Sequence, residues 1–191
     1  MVRELQSSLF IHDEEVTSVF QTLGTNENDL SYSLGYVLSK SPNLLKKVIR
    51  KVYAKKIKFQ DIVIKLQENG EDNGYTDFEI CVDNKFLFVI EAKRGWILPS
   101  IKQLKRYLKR FRGFSNKKRA FIVLSDCKKE YFDSVYKDSI YNTPIKSIAW
   151  ADIISLITEV YPSASDNEKF FLRELEKYLR EVVIMENQEV S

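Results

Sequence analysis

The stretch Tyr75-Thr76-Asp77-Phe78-Glu79-Ile80, followed after a turn by Phe86-Leu87-Phe88-Val89-Ile90-Glu91-Ala92-Lys93, sets acids and a lysine at the far ends of two apolar runs. Side chains alternate along a strand, so Glu91 and Lys93, two places apart, share a face. Two carboxylates can hold a hard divalent cation, and an ammonium beside them can orient or activate an attacking water. Spacing alone decides little, because an acid two places before a lysine occurs three times in the chain. Asp83-Asn84-Lys85 falls in the turn. Asp126-Cys127-Lys128 follows the apolar run Ala120 to Ser125 but has no paired acidic strand just upstream. Only Glu91-Ala92-Lys93 has that context.

The register of the hairpin sharpens the case. A two-residue loop, Asp83-Asn84, would set Val82 against Lys85 and Thr76 against Glu91, throwing Asp77 onto the opposite surface. A three-residue loop, Asp83-Asn84-Lys85, pairs Val82 with Phe86 and brings Asp77 across from Glu91. The second register gathers Phe78, Ile80, Val82, Phe86, Phe88, Ile90 and Ala92 on one face, whereas the first mixes Lys85, Glu91 and Lys93 into the core. Burial favours the register that assembles the acids, with a later loop residue in a left-handed conformation.

The chain has 191 residues, 44% apolar and 13% aromatic, which suits a single domain, 1–191, able to bury a substantial core. The core is expected over about 27–125, with a C-terminal helical extension over about 150–184. No apolar run reaches membrane-spanning length, and Met1-Val2-Arg3-Glu4 leads into a mixed segment unlike a signal peptide, so a cytoplasmic location and no membrane partner are expected. Cys81 and Cys127 lack the paired spacing of a zinc site, and His12 is the only histidine. Thiolate and imidazole metal chemistry is nearly excluded. The cysteines are expected as small, partly buried hydrophobes and His12 as a surface residue.

Charge is segregated. From Ala92 to Ser125 there are eleven Lys or Arg and no acid, so that the rest of the chain carries −8 against a net +3 for the whole. A second acid-free stretch, Leu30 to Gln60, carries eight more basic residues. Charge runs are usually solvated faces, but the longer one begins at Lys93, where a polyphosphate would have to lie.

Periodicity predicts helices over Glu27–Ser39, capped by Thr25-Asn26 with Leu30, Leu34, Val37 and Leu38 inward, and over Pro42–Tyr53. A strand from Phe59 to Leu66 and a loop from Gln67 to Gly74 precede the hairpin. Pro99 opens a basic amphipathic helix to about Arg112 with Ile101, Leu104, Leu108 and Phe111 inward. A strand at Ala120–Ser125, a helix near Lys128–Lys137, a strand at Ile145–Ala149 and helices over Asp152–Val160 and Asn167–Val183 follow, with fraying from Met185. This order predicts a three-layer α/β fold with a mixed sheet flanked by helices.

With these residues in hand, the chain resembles the PD-(D/E)XK nuclease superfamily, of restriction-endonuclease-like fold. A helix bearing Glu27, a hairpin bearing Asp77 and Glu91-x-Lys93, then helix and strand, match that core from Glu27 to Ser125. Thr76 stands where the signature has proline. Gln103-Leu104-Lys105-Arg106-Tyr107 looks like the Gln-x-x-x-Tyr motif of the RecB-like branch, the two residues being four apart on one helical face that Arg110 extends. The resemblance implies Mg2+, with Mn2+ able to substitute, held by Asp77, Glu91 and the Ala92 carbonyl, with Lys93 positioning or deprotonating the water. Glu27 would hold a metal or its water, or, as an acid in a first helical turn, serve only the helix dipole. Gln103, Tyr107, Lys102, Arg106 and Arg110 would grip the strand, or Gln103 and Tyr107 are an ordinary exposed glutamine and a half-buried aromatic. Glu79, offset from Asp77, is expected in a peripheral or salt-bridging role. The implied activity is metal-dependent cleavage of DNA, RNA not being excluded. It would be structure-directed, non-specific or partner-targeted, with a homodimer or a subunit of a larger complex as the candidate assemblies. The alternative is a catalytically inactive module of the same fold that binds nucleic acid or a protein.

Overall fold

In the computed structural model, which describes residues 8–53, 60–69, 74–115, 118–137 and 139–184, a short ribbon of β1 (Phe10–Ile11) and β2 (Glu14–Glu15) precedes helices α1 (Glu27–Lys40) and α2 (Pro42–Val52). There follow β3 (Ile62–Asn69), β4 (Tyr75–Val82), β5 (Phe86–Ala92), α3 (Ile101–Tyr107), β6 (Arg119–Leu124) and α4 (Lys129–Tyr136). The last elements are β7 (Ser139–Ile140), β8 (Thr143–Ile148), α5 (Trp150–Val160) and α6 (Asp166–Leu179). Six strands form one mixed sheet in the order β3-β4-β5-β6-β8-β7. The first three strands are an antiparallel meander, β5, β6 and β8 run parallel, and β7 closes the edge antiparallel to β8. Parallel neighbours need crossovers, which α3 and α4 supply.

The hairpin explains the layering. Val82 pairs with Phe86, Ile80 with Phe88 and Phe78 with Ile90, the register of a three-residue loop. Phe78, Ile80, Val82, Phe88, Ile90 and Ala92 pack into one core with Leu30, Leu34, Val37 and Leu38 of α1 and with α2, α5 and α6. The alternate residues Leu87 and Val89 join a second core with Leu104, Phe111 and Phe132 on the other face. A sheet apolar on both sides must carry helices on both. Gly35 lets α1 come close to β3, since a Cβ there would lie 2.6 Å from Leu66 Cδ2. Pro42 starts α2, and the Ser41 hydroxyl caps it by accepting from Leu44 N.

Several details differ from the sequence expectations. The Lys85 N–H closes the turn onto Val82 O at 2.9 Å, and Asp83 and Asn84 both take positive φ, 52° and 51°, so the left-handed conformation falls on the first two loop residues. The strand expected to end at Leu66 runs on to Asn69, because β4 supplies a partner for it. Phe59, residues 70–73 of the expected loop and the tail from Met185 lie outside the described residues. The basic helix tightens to a 3₁₀ turn over Leu108–Phe111. Ile101, at its N-terminus, is exposed while Tyr107 is buried. Beyond α6 the chain continues as a π-helical turn, Arg180–Ile184. Cys81 is partly buried, Cys127 is buried and His12 is exposed, as expected. Among the described residues, no helix is long and apolar enough to cross a membrane.

Candidate active site

Strand geometry delivers the acids. Continuing the β4–β5 ladder one step beyond Phe78 and Ile90 sets Asp77 against Glu91. The Asp77 carboxylate accepts from the Ala92 N–H, 2.7 Å to Oδ2, and from the Gln67 amide, 3.4 Å to Oδ1. Glu91 is 3% exposed. Its Oε1 accepts from Lys93 Nζ at 2.8 Å and from the Gln103 amide, while Oε2 is buried without a hydrogen-bond partner among the described residues. Buried carboxylate oxygens are seldom left so, because they forfeit hydration without replacing it.

Lys93 is fixed at the end of β5, its N–H donating to Leu124 O at 2.7 Å and its carbonyl accepting from the Trp150 indole at 2.9 Å. The ammonium spans two acids, Glu91 and, at 3.0 Å, Glu27 Oε2 of α1. Glu27 Oε1 in turn accepts from Arg94 N at 3.3 Å. Glu27 is thus tied to the site through its side chain, which the dipole reading alone would not require.

Burial, and then the neighbouring Asp77 charge, push Glu91 up to about 7 despite Lys93 and Gln103. Asp77 is raised as well, by burial acting against the Ala92 N–H and Lys93. Burial pulls the Lys93 ammonium down, but the charge and hydrogen bond of Glu91 and the hydrogen bond to Glu27 outweigh it, so its pKa rises. Two carboxylates raised together are short of positive charge, and one lysine does not supply enough. The oxygen-only donor pair and the orphaned Glu91 Oε2 fit a hard divalent cation. Among the described residues, however, no three acid, cysteine or histidine side chains form a group that could hold a metal ion. The Glu27 carboxylate, expected to approach a cation shared by Asp77 and Glu91, meets the Lys93 ammonium.

No known family, curated protein or solved structure matches the chain.

Helix α3 contributes in two ways. The Gln103 amide donates to Glu91 Oε1 and, at 3.1 Å, to the Tyr107 hydroxyl, which itself donates to Tyr75 O at 2.6 Å. Burial first, then the Glu91 charge, push the Tyr107 phenol up to about 12, so it stays a donor. Gln103 and Tyr107 therefore form a relay that orients Glu91. Lys102 and Arg106 are exposed, available to a partner. Arg110 is turned inward: its guanidinium meets Glu79 at 3.2 Å and donates to Glu68 O and Gly74 O, each at 2.7 Å. It is corrected from a surface phosphate contact to a tie between α3's C-terminal turn and β3–β4, and Glu79 takes the salt-bridging role expected of it. Thr76 is buried and donates its hydroxyl to Glu79 Oε1 at 3.0 Å.

Arg110→Ala is expected to destabilise the fold by about 3 kcal/mol, since it leaves Glu79 buried without its partner. Arg106→Ala should leave stability within about 0.5 kcal/mol. Urea denaturation of both variants checks the contrast.

Sequence reasoning missed Gln67. The β3–β4 ladder lapses between Leu66–Phe78 and Glu68–Thr76, and there Gln67 takes φ 48°. Its amide donates to Asp77 Oδ1 and, at 3.0 Å, to Asn28 Oδ1 of α1. Left-handed backbone at a non-glycine residue beside a buried carboxylate is strain held by its surroundings. Gln67→Gly should be more stable than Gln67→Ala by about 1 kcal/mol, because only alanine retains the left-handed Cβ penalty while both lose the amide. Thermal melts of the two variants give the comparison.

Proposed function

We propose that the chain is a divalent-cation-dependent nuclease acting on DNA, built on a three-layer, restriction-endonuclease-like arrangement of its α/β elements. The observation that carries this reading is the orphaned, buried Glu91 Oε2 beside Asp77, with the Lys93 ammonium on the same strand face. Charges so desolvated are costly to keep for architecture alone. Mg2+ or Mn2+ would be held by Asp77, Glu91 and the Ala92 carbonyl, and when bound supplies Lewis-acid neutralisation of charge on the phosphate oxygens and a more acidic water. Lys93, kept protonated by Glu91 and Glu27, positions the water or a phosphate oxygen as a hydrogen-bond donor. Glu27 holds that ammonium in place, and Gln103, braced on Tyr107, orients Glu91. Lys102 and Arg106 on exposed α3 offer contacts to the phosphate backbone, each neutralised phosphate releasing counterions.

A second reading, a non-catalytic binding module, is favoured by the mutual pairing of Glu27, Lys93 and Glu91, which satisfies the lysine without a cation. Incubation with supercoiled, linear, branched and single-stranded DNA, in Mg2+ or EDTA, separates the two. Cation-dependent cleavage of any of these supports the nuclease. Binding without cleavage in Mg2+ and Mn2+ overturns it in favour of the module. The same gel series, read against protein concentration, tells whether a homodimer is needed. Full activity of the purified chain alone would dispose of a larger complex.

A further inference from the structure

Trp96 lies three residues beyond Lys93 and is 52% exposed, with Ile97 beside it 61% exposed and Ile101 48% exposed. The turn that carries it is anchored from beneath. Gly95 O accepts from Asp126 N at 2.9 Å and from Ser125 Oγ at 3.0 Å, Ile97 O accepts from the same hydroxyl at 3.0 Å, and Pro99 O accepts from the Tyr136 hydroxyl. Gly95 takes φ +56° with nothing within 4 Å of where a Cβ would lie, so the turn points into open space. An indole held outward on a fixed turn contributes little to folding, and grouped apolar exposure of this kind marks a contact surface. The Lys128 ammonium sits over the ring, 5.2 Å from its centroid, covering one face and adding positive charge beside the other. That combination suits a polyanion carrying π-faces better than an apolar peptide. Three residues of chain reach at most about 11 Å, a span that a base next to a phosphate held at Lys93 can cover.

We propose that Trp96 is a stacking platform for an unpaired nucleobase next to the scissile phosphate, so that the site takes single-stranded DNA or a duplex opened at that point. A base inside a duplex has both faces covered by its neighbours and cannot use the platform. The position of the phosphate rests on the nuclease reading; the platform itself is tested without it. The other tryptophan, Trp150, is fully buried, so quenching of tryptophan fluorescence reports Trp96. With EDTA present to stop turnover, the protein is titrated with a single-stranded oligonucleotide, the same sequence as duplex, and the same strand carrying abasic sites. The single strand should quench, and the duplex and abasic strands should bind about tenfold or more weaker. Because both variants remove the reporter, Trp96→Phe and Trp96→Ala are compared with the unsubstituted protein by fluorescence anisotropy of the same three ligands carrying an end label, in EDTA. Trp96→Phe should keep most of the preference and Trp96→Ala should lose it. Equal affinity for all three ligands, no quenching by any, or unchanged discrimination in Trp96→Ala overturns the platform. Quenching with discrimination but no cleavage in Mg2+ leaves the platform standing and removes the nuclease. Cleavage without discrimination does the reverse.

Discussion

Glu91→Gln is expected to lower the proposed Mg2+-dependent cleavage by about a thousandfold or more, with Asp77→Asn and Lys93→Ala falling comparably, because a single cation-and-water assembly would fail as a unit when any member is lost. Glu91 is the most exposed to this test. Its carboxylate meets Lys93, Gln103 and the Asp77 charge at once, and glutamine keeps its shape while removing its charge. The variants should remain folded. Neutralising either acid relieves the repulsion between two desolvated carboxylates, so metal-free melting temperatures of Glu91→Gln and Asp77→Asn should not drop with activity. A single-turnover assay alongside a thermal melt makes the distinction. Undiminished turnover in any of the three variants removes the site assignment, and loss of activity together with loss of fold attributes the effect to architecture.

How much of this was legible beforehand depends on whether local pattern or long-range geometry sets each feature. The hairpin register was legible because a one-residue slip would drive Glu91 and Lys93 into the core, and seven apolar positions from Phe78 to Ala92 forbid it. The inward stripe of α1 followed from helical spacing for the same reason. Arg110 was not legible: four places after Arg106 on a basic helix it carries the same pattern as a solvated cation. Its inward turn depends on Glu79 and on two carbonyls of the β3–β4 meander. Ile101 illustrates the same limit, since periodicity assigns it to the inward face although the helix begins there, beyond the cover of the second core. Gln67 carried no signal at all. Its role comes from a left-handed backbone at one break in a ladder, and strands tolerate such residues only where neighbouring contacts enforce them. Trp96 was silent for another reason: exposure of an aromatic cannot be told from burial by composition alone.

The raised Glu91 also makes a stability prediction whose sign is fixed. Its carboxyl titrates near 4.5 when unfolded and at about 7 in the folded, cation-free protein, so between those values the folded state holds a proton that the unfolded state has released. The associated stabilisation is fully present below about pH 4.5 and is lost as pH rises through about 7. The side chain is almost fully buried, so solvent screening does not erase the effect, and the span corresponds to about 3 kcal/mol. Other groups titrate over the same range, and Glu91→Gln provides the reference that cancels them. In EDTA, the stability of the natural chain relative to Glu91→Gln should fall by roughly that amount between pH 4.5 and pH 8, measured by urea denaturation. Mg2+ should oppose the fall, because a cation binds the ionised carboxylate and displaces the proton. Its stabilisation should therefore grow with pH up to about 7 and then level off. A relative stability in EDTA that stays flat with pH would mean that Lys93 compensates Glu91 completely, and one that rises that it over-compensates, either leaving no unmet demand for a cation at the site.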